Sequence, residues 1–290
     1  MFDERSGTQR PIFILASGWR SGSTLLQRLL CSHPDIHIWG ENRGICSELQ
    51  RLSEQIERLQ PLSDRAAAEF RAAGTSAWIA MLNPPPECFA AGLAALLDGY
   101  FGEPVRRTGK SRWGFKEVRH GGDTVRLLTR LFPAARFLLL VRDPRACLAS
   151  ARATTVPQLT DGLLPEVGES AAFLAHWAAI ASSFLEPFEA DVAMRLRYED
   201  MLDAPDAVVG RLAAFLDVPA SGFSTNVFAV RRRGWLEEAP RLTPRDVDCL
   251  AEATIWSVAE KFGYARAEAR SGDAAMTMPS SINRAECQHV

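Results

Sequence analysis

Apolar runs of strand length alternate with segments of helical periodicity along most of this chain. Residues 11–17 are apolar, rich in β-formers and closed by Gly18, the pattern of a buried strand. Leu25, Leu26, Leu29 and Leu30 then recur at helical spacing, so the first unit reads as strand, tight polar loop, helix. Residues 36–39 predict a second short strand, closed by Gly40. Helices are expected over 43–59 and 66–81. The run Asn83-Pro-Pro-Pro86 breaks the chain before another helix over 88–100.

The second half repeats the alternation. Residues 113–116 predict a brief strand, followed by a helix capped by Asp123 and running to Phe132, ahead of Pro133. The strongest strand is 136–141, apolar throughout as a strand covered on both faces would be. Asp143-Pro144 follows it, Asp suiting an N-cap and Pro the first helical position, and that helix is expected to reach about Ala153. Residues 154–168 read as loop, 169–190 as a long helix, 192–196 as a strand, 203–216 as a helix with Pro205 in its first turn, and 243–262 as a final helix. Strands alternating with helices imply α/β architecture, a three-layer sandwich around a central parallel sheet. One domain over 11–266 is expected, with a flexible N-terminus over 1–10, a disordered tail over 267–290, and the helices between 43 and 100 as an elaboration on the sheet's edge.

Composition narrows the partners. The 290 residues are 47% hydrophobic and 23% charged, which excludes a disordered or fibrous chain. A net charge of −2 argues against a general nucleic-acid binder, which needs a basic excess, but not against one small anionic ligand. No apolar signal core follows the polar start and no stretch is long enough to span a bilayer, so a cytoplasmic soluble protein is expected. The six cysteines are scattered without a C-x-x-C pair, so free thiols are expected and no metal site. Only Lys110, Lys116 and Lys261 break an otherwise all-Arg set of basic residues, which makes a well-placed Lys easy to notice.

The first strand-to-helix junction is Ser17-Gly-Trp-Arg-Ser-Gly-Ser-Thr24. Such a turn gathers free backbone N–H groups at one point, and the helix dipole adds partial positive charge there. Ser21, Ser23 and Thr24 supply hydroxyls, Arg20 supplies a full charge, and Gly22 lets the backbone approach a ligand closely. This is a phosphate cradle, yet not the G-x-x-x-x-G-K-[ST] loop: aligned on Thr24, the first Gly is Ser17 and the Lys is Ser23. The missing Lys counts against an ATPase or kinase. The strand over 136–141 ends so that Arg142 lies at the carboxyl edge of the sheet, where open α/β sheets bind ligands. Ser150 lies eight residues further on, just over two helical turns, so that a guanidinium and a hydroxyl can share one phosphate.

Together, Arg20-Ser-Gly-Ser-Thr-Leu-Leu26 after an N-terminal strand and Val141-Arg-Asp-Pro-Arg145 with Ser150 resemble the sulfotransferases. The resemblance implies 3′-phosphoadenosine 5′-phosphosulfate (PAPS) as sulfuryl donor. On that resemblance Arg20, Ser21, Gly22, Ser23 and Thr24 would hold the 5′-phosphosulfate, and Arg142 and Ser150 the 3′-phosphate. Leu196-Arg-Tyr198-Glu-Asp200 resembles a further family segment, which would place Tyr198 near the nucleotide. The basic loop Arg231-Arg232-Arg233-Gly234 occupies the place of the family's loop over the 3′-phosphate and adenine, implicating Arg232 and Gly234.

Sulfuryl transfer is an in-line displacement that needs a base for the acceptor proton and cations for the leaving phosphate oxygen. Glu41 follows Gly40, 21 residues past Arg20, and resembles the Glu base of the protein-tyrosine sulfotransferases and their bacterial relatives. His37 is the second candidate base. Lys116 matches a family Lys that reaches the sulfuryl bridge, and Arg20 would assist the leaving group, so that no metal is required. The acceptor is expected to be a hydroxylated small molecule, sugar or peptide, with residues 43–100 and 154–168 shaping its pocket and Trp39, Trp78, Phe89 and Trp113 as candidate walls. An atypical P-loop kinase and a nucleotide-binding module that has lost catalysis stand as alternatives.

Overall fold

A computed structural model describes residues 10–153, 169–229 and 242–266. Among them, five strands form one parallel sheet in the order β2-β3-β1-β4-β5. They are β1 (Ile12–Ala16), β2 (Ile36–Trp39), β3 (Arg112–Glu117), β4 (Arg136–Val141) and β5 (Ala193–Arg197). Ile14 of β1 stands between Lys116 of β3 and Leu138 of β4. Every residue of β1 is buried, as a central strand with helices on both faces requires. Phe13 anchors an aromatic cluster with Trp113, Phe115, Phe132 and Phe137. The same buried core runs on to Tyr264 near the end of the described chain. No helix among the described residues is long and apolar enough to cross a membrane.

The order of the strands positions the site. From β1 the chain leaves toward β2 on one side of the sheet, and from β4 toward β5 on the other. The connections diverge between two neighbouring strands, and a crevice opens there at their carboxyl ends. Helix α1 (Ser23–Ser32) follows β1, and α6 (Pro144–Arg152) follows β4, with Asp143 as its N-cap accepting from the Arg145 N–H at 2.8 Å.

Several elements depart from the expected pattern. The helices expected over 43–59 and 66–81 are one helix, α2 (Ile45–Ala73), which runs through Pro61 and stops short of 77–81. Proline removes a single backbone bond here, and side-chain pairs Arg51–Glu48, Arg58–Glu54 and Arg65–Glu69 hold the exposed face on either side of it. Next comes α3 (Pro86–Leu97), which passes through a π turn (Asp98–Gly102) into α4 (Glu103–Arg106). Asp123 does not cap α5 (Gly122–Leu131): the cap is Gly121, and the Gly122 N–H is satisfied by Ser183 Oγ of another helix at 2.9 Å. Expected to span 169–190, α7 (Ser170–Ser183) ends ahead of Pro187. The helix expected over 203–216 is α9 (Pro205–Leu216), with Pro205 in its first turn as expected; a short helix that the pattern did not predict, α8 (Tyr198–Asp203), precedes it and ends where Pro205 bars Ala204 from helical angles. The final helix is likewise two, α10 (Pro244–Leu250) and α11 (Ala253–Ala259). The expectations for residues 1–9, 154–168, 230–241 and 267–290 lie outside the described residues.

Candidate active site

The loop between β1 and α1 is shaped by three backbone conformations in the left-handed region: Gly18 at φ +124°, Arg20 at +64° and Gly22 at +90°. Gly22 is also the N-cap of α1, and no side chain among the described residues caps that helix, so its first N–H groups are left for a ligand. A Cβ at Gly22 would stand 2.1 Å from Cδ2 of Tyr198, so only glycine lets the loop and that ring meet. Ser21 differs from expectation, since its hydroxyl donates to the Gly18 carbonyl at 2.7 Å and braces the loop from a buried position. Ser23 is buried and Thr24 exposed.

The β4–α6 loop meets this cradle directly. Ser150 Oγ accepts from Arg20 Nε at 3.1 Å, and Arg142 Nη1 donates to the Arg20 carbonyl at 2.8 Å. Arg142 also lies over the Tyr198 ring, 4.3 Å from its centroid. The buried Nε of Arg142 has no hydrogen-bond partner among the described residues. A buried cationic donor without an acceptor fits an anionic ligand. Asp143, the sequence neighbour of Arg142, is held instead by Arg145, with 2.5 Å between Arg145 Nη2 and Asp143 Oδ2. Arg20, Arg142, Ser150, Gly22 and Tyr198 are therefore one constellation. Arg232 and Gly234 lie outside the described residues.

Glu41 stands just past β2, at the carboxyl end of the sheet like the phosphate loop. Its Oε1 accepts from Lys116 Nζ at 2.7 Å, and its Oε2 from Arg119 at 2.9 Å. Burial pushes the Glu41 carboxyl up, but Lys116 and Arg119 outweigh it and hold it below the usual carboxylate range. Lys116 is itself only 7% exposed at its side chain, whereas Glu41 keeps 30% of its own, so a buried cation meets a carboxylate that still reaches solvent. The structure therefore brings Glu41 and Lys116 together. His37 is elsewhere in character: it faces Trp39 edge-on, and burial pushes its pKa down.

Arg119 is a site residue that the motifs do not reach. It stands three residues past Lys116, which is the signal that could have found it, but in a chain whose basic residues are nearly all Arg that spacing is inconspicuous. Three of the candidate acceptor walls belong to the core or its margin: Trp113 is buried and stacked on Phe101, Trp39 donates to the Phe101 carbonyl at 2.9 Å, and Phe89 is packed against the core. Trp78 is exposed. No group of His, Cys, Asp and Glu suited to a metal occurs among the described residues, and Cys31, Cys46, Cys88, Cys147 and Cys249 are free thiols.

Comparison with known proteins shows the family and the fold. The sulfotransferase family model matches residues 11–222. Protein-tyrosine sulfotransferase A of Caenorhabditis elegans is 22% identical over 222 residues, covering 75% of this chain and 52% of its own length. Protein-tyrosine sulfotransferase 1 of Homo sapiens is 30% identical over 142 residues, covering 48% of this chain and 33% of its own. The chain thus spans about half, or less, of the length of these curated relatives. The sulfotransferase domain from the curacin biosynthetic pathway shares the fold, with a TM-score of 0.51 and 17% identity over 89% of this chain and 98% of that one.

Proposed function

From the premise that this chain belongs to the sulfotransferase family, we propose that it moves a sulfuryl group from PAPS to a hydroxyl acceptor, with Glu41 as general base. The observation that carries the reading is the fusion of two anion-binding loops at the sheet's divergence point, where Arg20 meets both Ser150 and Arg142. A donor with phosphate at two ends needs two such loops in fixed relation.

PAPS supplies an activated sulfuryl group on a phosphate leaving oxygen. The residues of this chain do the rest. Arg142, Ser150 and Tyr198 hold the 3′-phosphate end, and Arg20, Ser23, Thr24 and the α1 N-terminus hold the 5′ end; Ser21 braces their loop. Glu41 takes the acceptor proton as the acceptor oxygen bonds to sulfur and the sulfur–oxygen bond to the leaving phosphate breaks. Lys116 and Arg20 meet the charge that gathers on the leaving oxygen. Because Lys116 and Arg119 keep Glu41 ionised, the base is ready at neutral pH. Each of its oxygens accepts one hydrogen bond from a described residue and retains a lone pair for the incoming proton. A cytoplasmic location and a hydroxylated small molecule, sugar or peptide as acceptor belong to the same proposal; the named relatives act on protein tyrosine.

The test is a mass-detected transfer screen from PAPS to pooled phenols, sugars, alcohols and tyrosine peptides, run beside thermal shifts with nucleotides. Stabilisation by 3′-phosphoadenosine 5′-phosphate and transfer to one pool are expected. Glu41→Gln should abolish transfer and keep the thermal shift. Stabilisation by ATP alone would favour phosphoryl chemistry instead, and nucleotide binding with no transfer to any pool would favour a module that has lost catalysis.

A further inference from the structure

Arg119 touches both halves of the site. Its guanidinium donates to Glu41 Oε2 at 2.9 Å and to Glu117 Oε2 at 3.5 Å. Its guanidinium carbon also lies 5.7 Å from the ring centroid of Trp19. Trp19 is the residue before Arg20 in the phosphate loop, and it stacks on His176 with the rings 4.3 Å apart. One side chain, 19% exposed, therefore bridges the candidate base and the donor loop.

The backbone that carries Arg119 is fixed on both sides. The Val118 carbonyl is 3.0 Å from His176 Nε2, and the Gly122 N–H donates to Ser183, so α7 braces the turn after β3. Glu117, fully buried at its side chain, accepts from the Asn42 N–H at 2.6 Å and so fixes the backbone next to Glu41. Backbone and side chain of the Glu41 segment are thus held by Glu117 at the end of β3 and by Arg119 two residues on. A long cation held this firmly loses little freedom on making its bonds, unlike a surface Arg.

We infer that Arg119 is a positioning residue for sulfuryl transfer: it fixes the second oxygen of Glu41 and sets that carboxylate in register with the phosphate loop through Trp19. The inference rests on the reading of Glu41 as base. The charges that face Glu41 are Lys116 and Arg119, with Glu117 beyond Arg119. His120, also beside Arg119, is pushed down to about 4 by burial and by that guanidinium, so it adds no charge at neutral pH. Losing Arg119 removes a cation from beside Glu41, and that alone raises the pH at which Glu41 takes up a proton; Glu117, whose carboxyl burial already pushes up, loses the same cation.

The experiment uses the full chain, PAPS and an acceptor that the wild type sulfates, with Glu41→Gln measured alongside. Arg119→Met should lower kcat by about 10- to 100-fold, the effect expected of a misplaced catalytic group, while the KM for PAPS changes by less than about 3-fold. The acid limb of kcat/KM should move to higher pH in Arg119→Met and in Arg119→Gln, which keeps a donor but not the charge. Arg119→Lys should return the limb toward the wild-type position and recover part of kcat. If Arg119→Met does not fold, the Gln and Lys variants carry the comparison. An inactive Glu41→Gln with unmoved acid limbs in the Met and Gln variants would overturn the positioning role alone. A Glu41→Gln enzyme with full activity would overturn the base assignment, and this inference with it.

Discussion

The Nε of Arg20 donates to the hydroxyl of Ser150 at 3.1 Å, across 130 residues of sequence. Arg20 holds a left-handed backbone, φ +64°, which costs a side-chain-bearing residue of order 1 kcal/mol or more. Arg142 secures that conformation by donating to the Arg20 carbonyl at 2.8 Å. The strain and its restraint sit at the anion-binding crevice, so the loop is shaped for its ligand in advance, which spares ordering cost on binding.

Ser150→Ala tests that coupling. The substitution removes one hydroxyl from a half-buried helix face and with it the acceptor of Arg20 Nε, so a modest fall in melting temperature is expected beside the loss of affinity. Loss of a hydrogen bond between charged and neutral groups is worth about 1.5–3 kcal/mol, or roughly 10- to 100-fold in affinity. Calorimetric titration with 3′-phosphoadenosine 5′-phosphate should show a weakening of that size. An affinity equal to wild type would remove Ser150 from the nucleotide site.

Two glycines separate backbone strain from close approach. Gly22 and Gly44 have similar backbone angles, φ +90° and +96°, and both precede a helix. A Cβ at Gly44 meets nothing within 4 Å, whereas at Gly22 it meets the Tyr198 ring at 2.1 Å. Gly44→Ala should therefore cost only the conformational penalty, about 1 kcal/mol. Gly22→Ala should cost more and also weaken nucleotide binding, because Tyr198 and Arg142 move with it. Chemical denaturation and nucleotide titration of both variants make the comparison, and equal losses would deny the ring contact any role.

The donor half of the site was legible because its physics is local. A strand, a Gly-bearing polar turn and a helix start within 14 residues announce the cradle, and Asp143-Pro144 announces the helix after β4. Arg119 was not legible, because its function comes from a turn braced by Ser183 and His176, far along the chain. The same reason hid the true start of α5, where a serine from another helix satisfies the first N–H that Asp123 seemed placed to cap. Helix α2 instead runs through Pro61, an exposed proline that removes one bond the neighbouring ion pairs can spare. At Pro205 the restriction on the preceding residue won, and α8 ended.

Tyr264 ties the last described turn to the donor site. Its hydroxyl donates to Glu199 Oε2 at 2.7 Å and lies 3.2 Å from the Val141 carbonyl, while Glu199 Oε1 accepts from the Asp143 N–H at 3.1 Å. These bonds bracket Arg142. Tyr264→Phe keeps the ring under Arg197 and strips the donor, leaving buried acceptors short of a partner at a cost of about 1–3 kcal/mol. For a chain of this size that is a fall of roughly 2–12 °C in melting temperature. Differential scanning calorimetry reads it directly, and an unchanged melting temperature would mean that the hydroxyl bonds are of no consequence to the fold.

Asp246 makes stability depend on acid. Its carboxylate is 1% exposed and lies 3.0 Å from Arg152. It also accepts from Ser170 and, at 2.9 Å, from the Thr243 N–H, closing the capping box of α10. Burial pushes the carboxyl up, but the hydrogen bonds from Ser170, Thr243 and Arg152 outweigh it and bring it from 3.8 to about 2. A group depressed in the folded state stabilises above its unfolded pKa and loses that stabilisation as pH falls through the folded one. The window is therefore from about pH 4 down to about pH 2, and the contribution at neutral pH is about 2 kcal/mol. Asp246→Asn keeps the shape, loses the charge, and should be less stable by about that amount at pH 7. Urea titrations across the acid range should show the wild type losing stability more steeply than the variant. Parallel curves would place the acid sensitivity in other carboxylates, Glu41 among them.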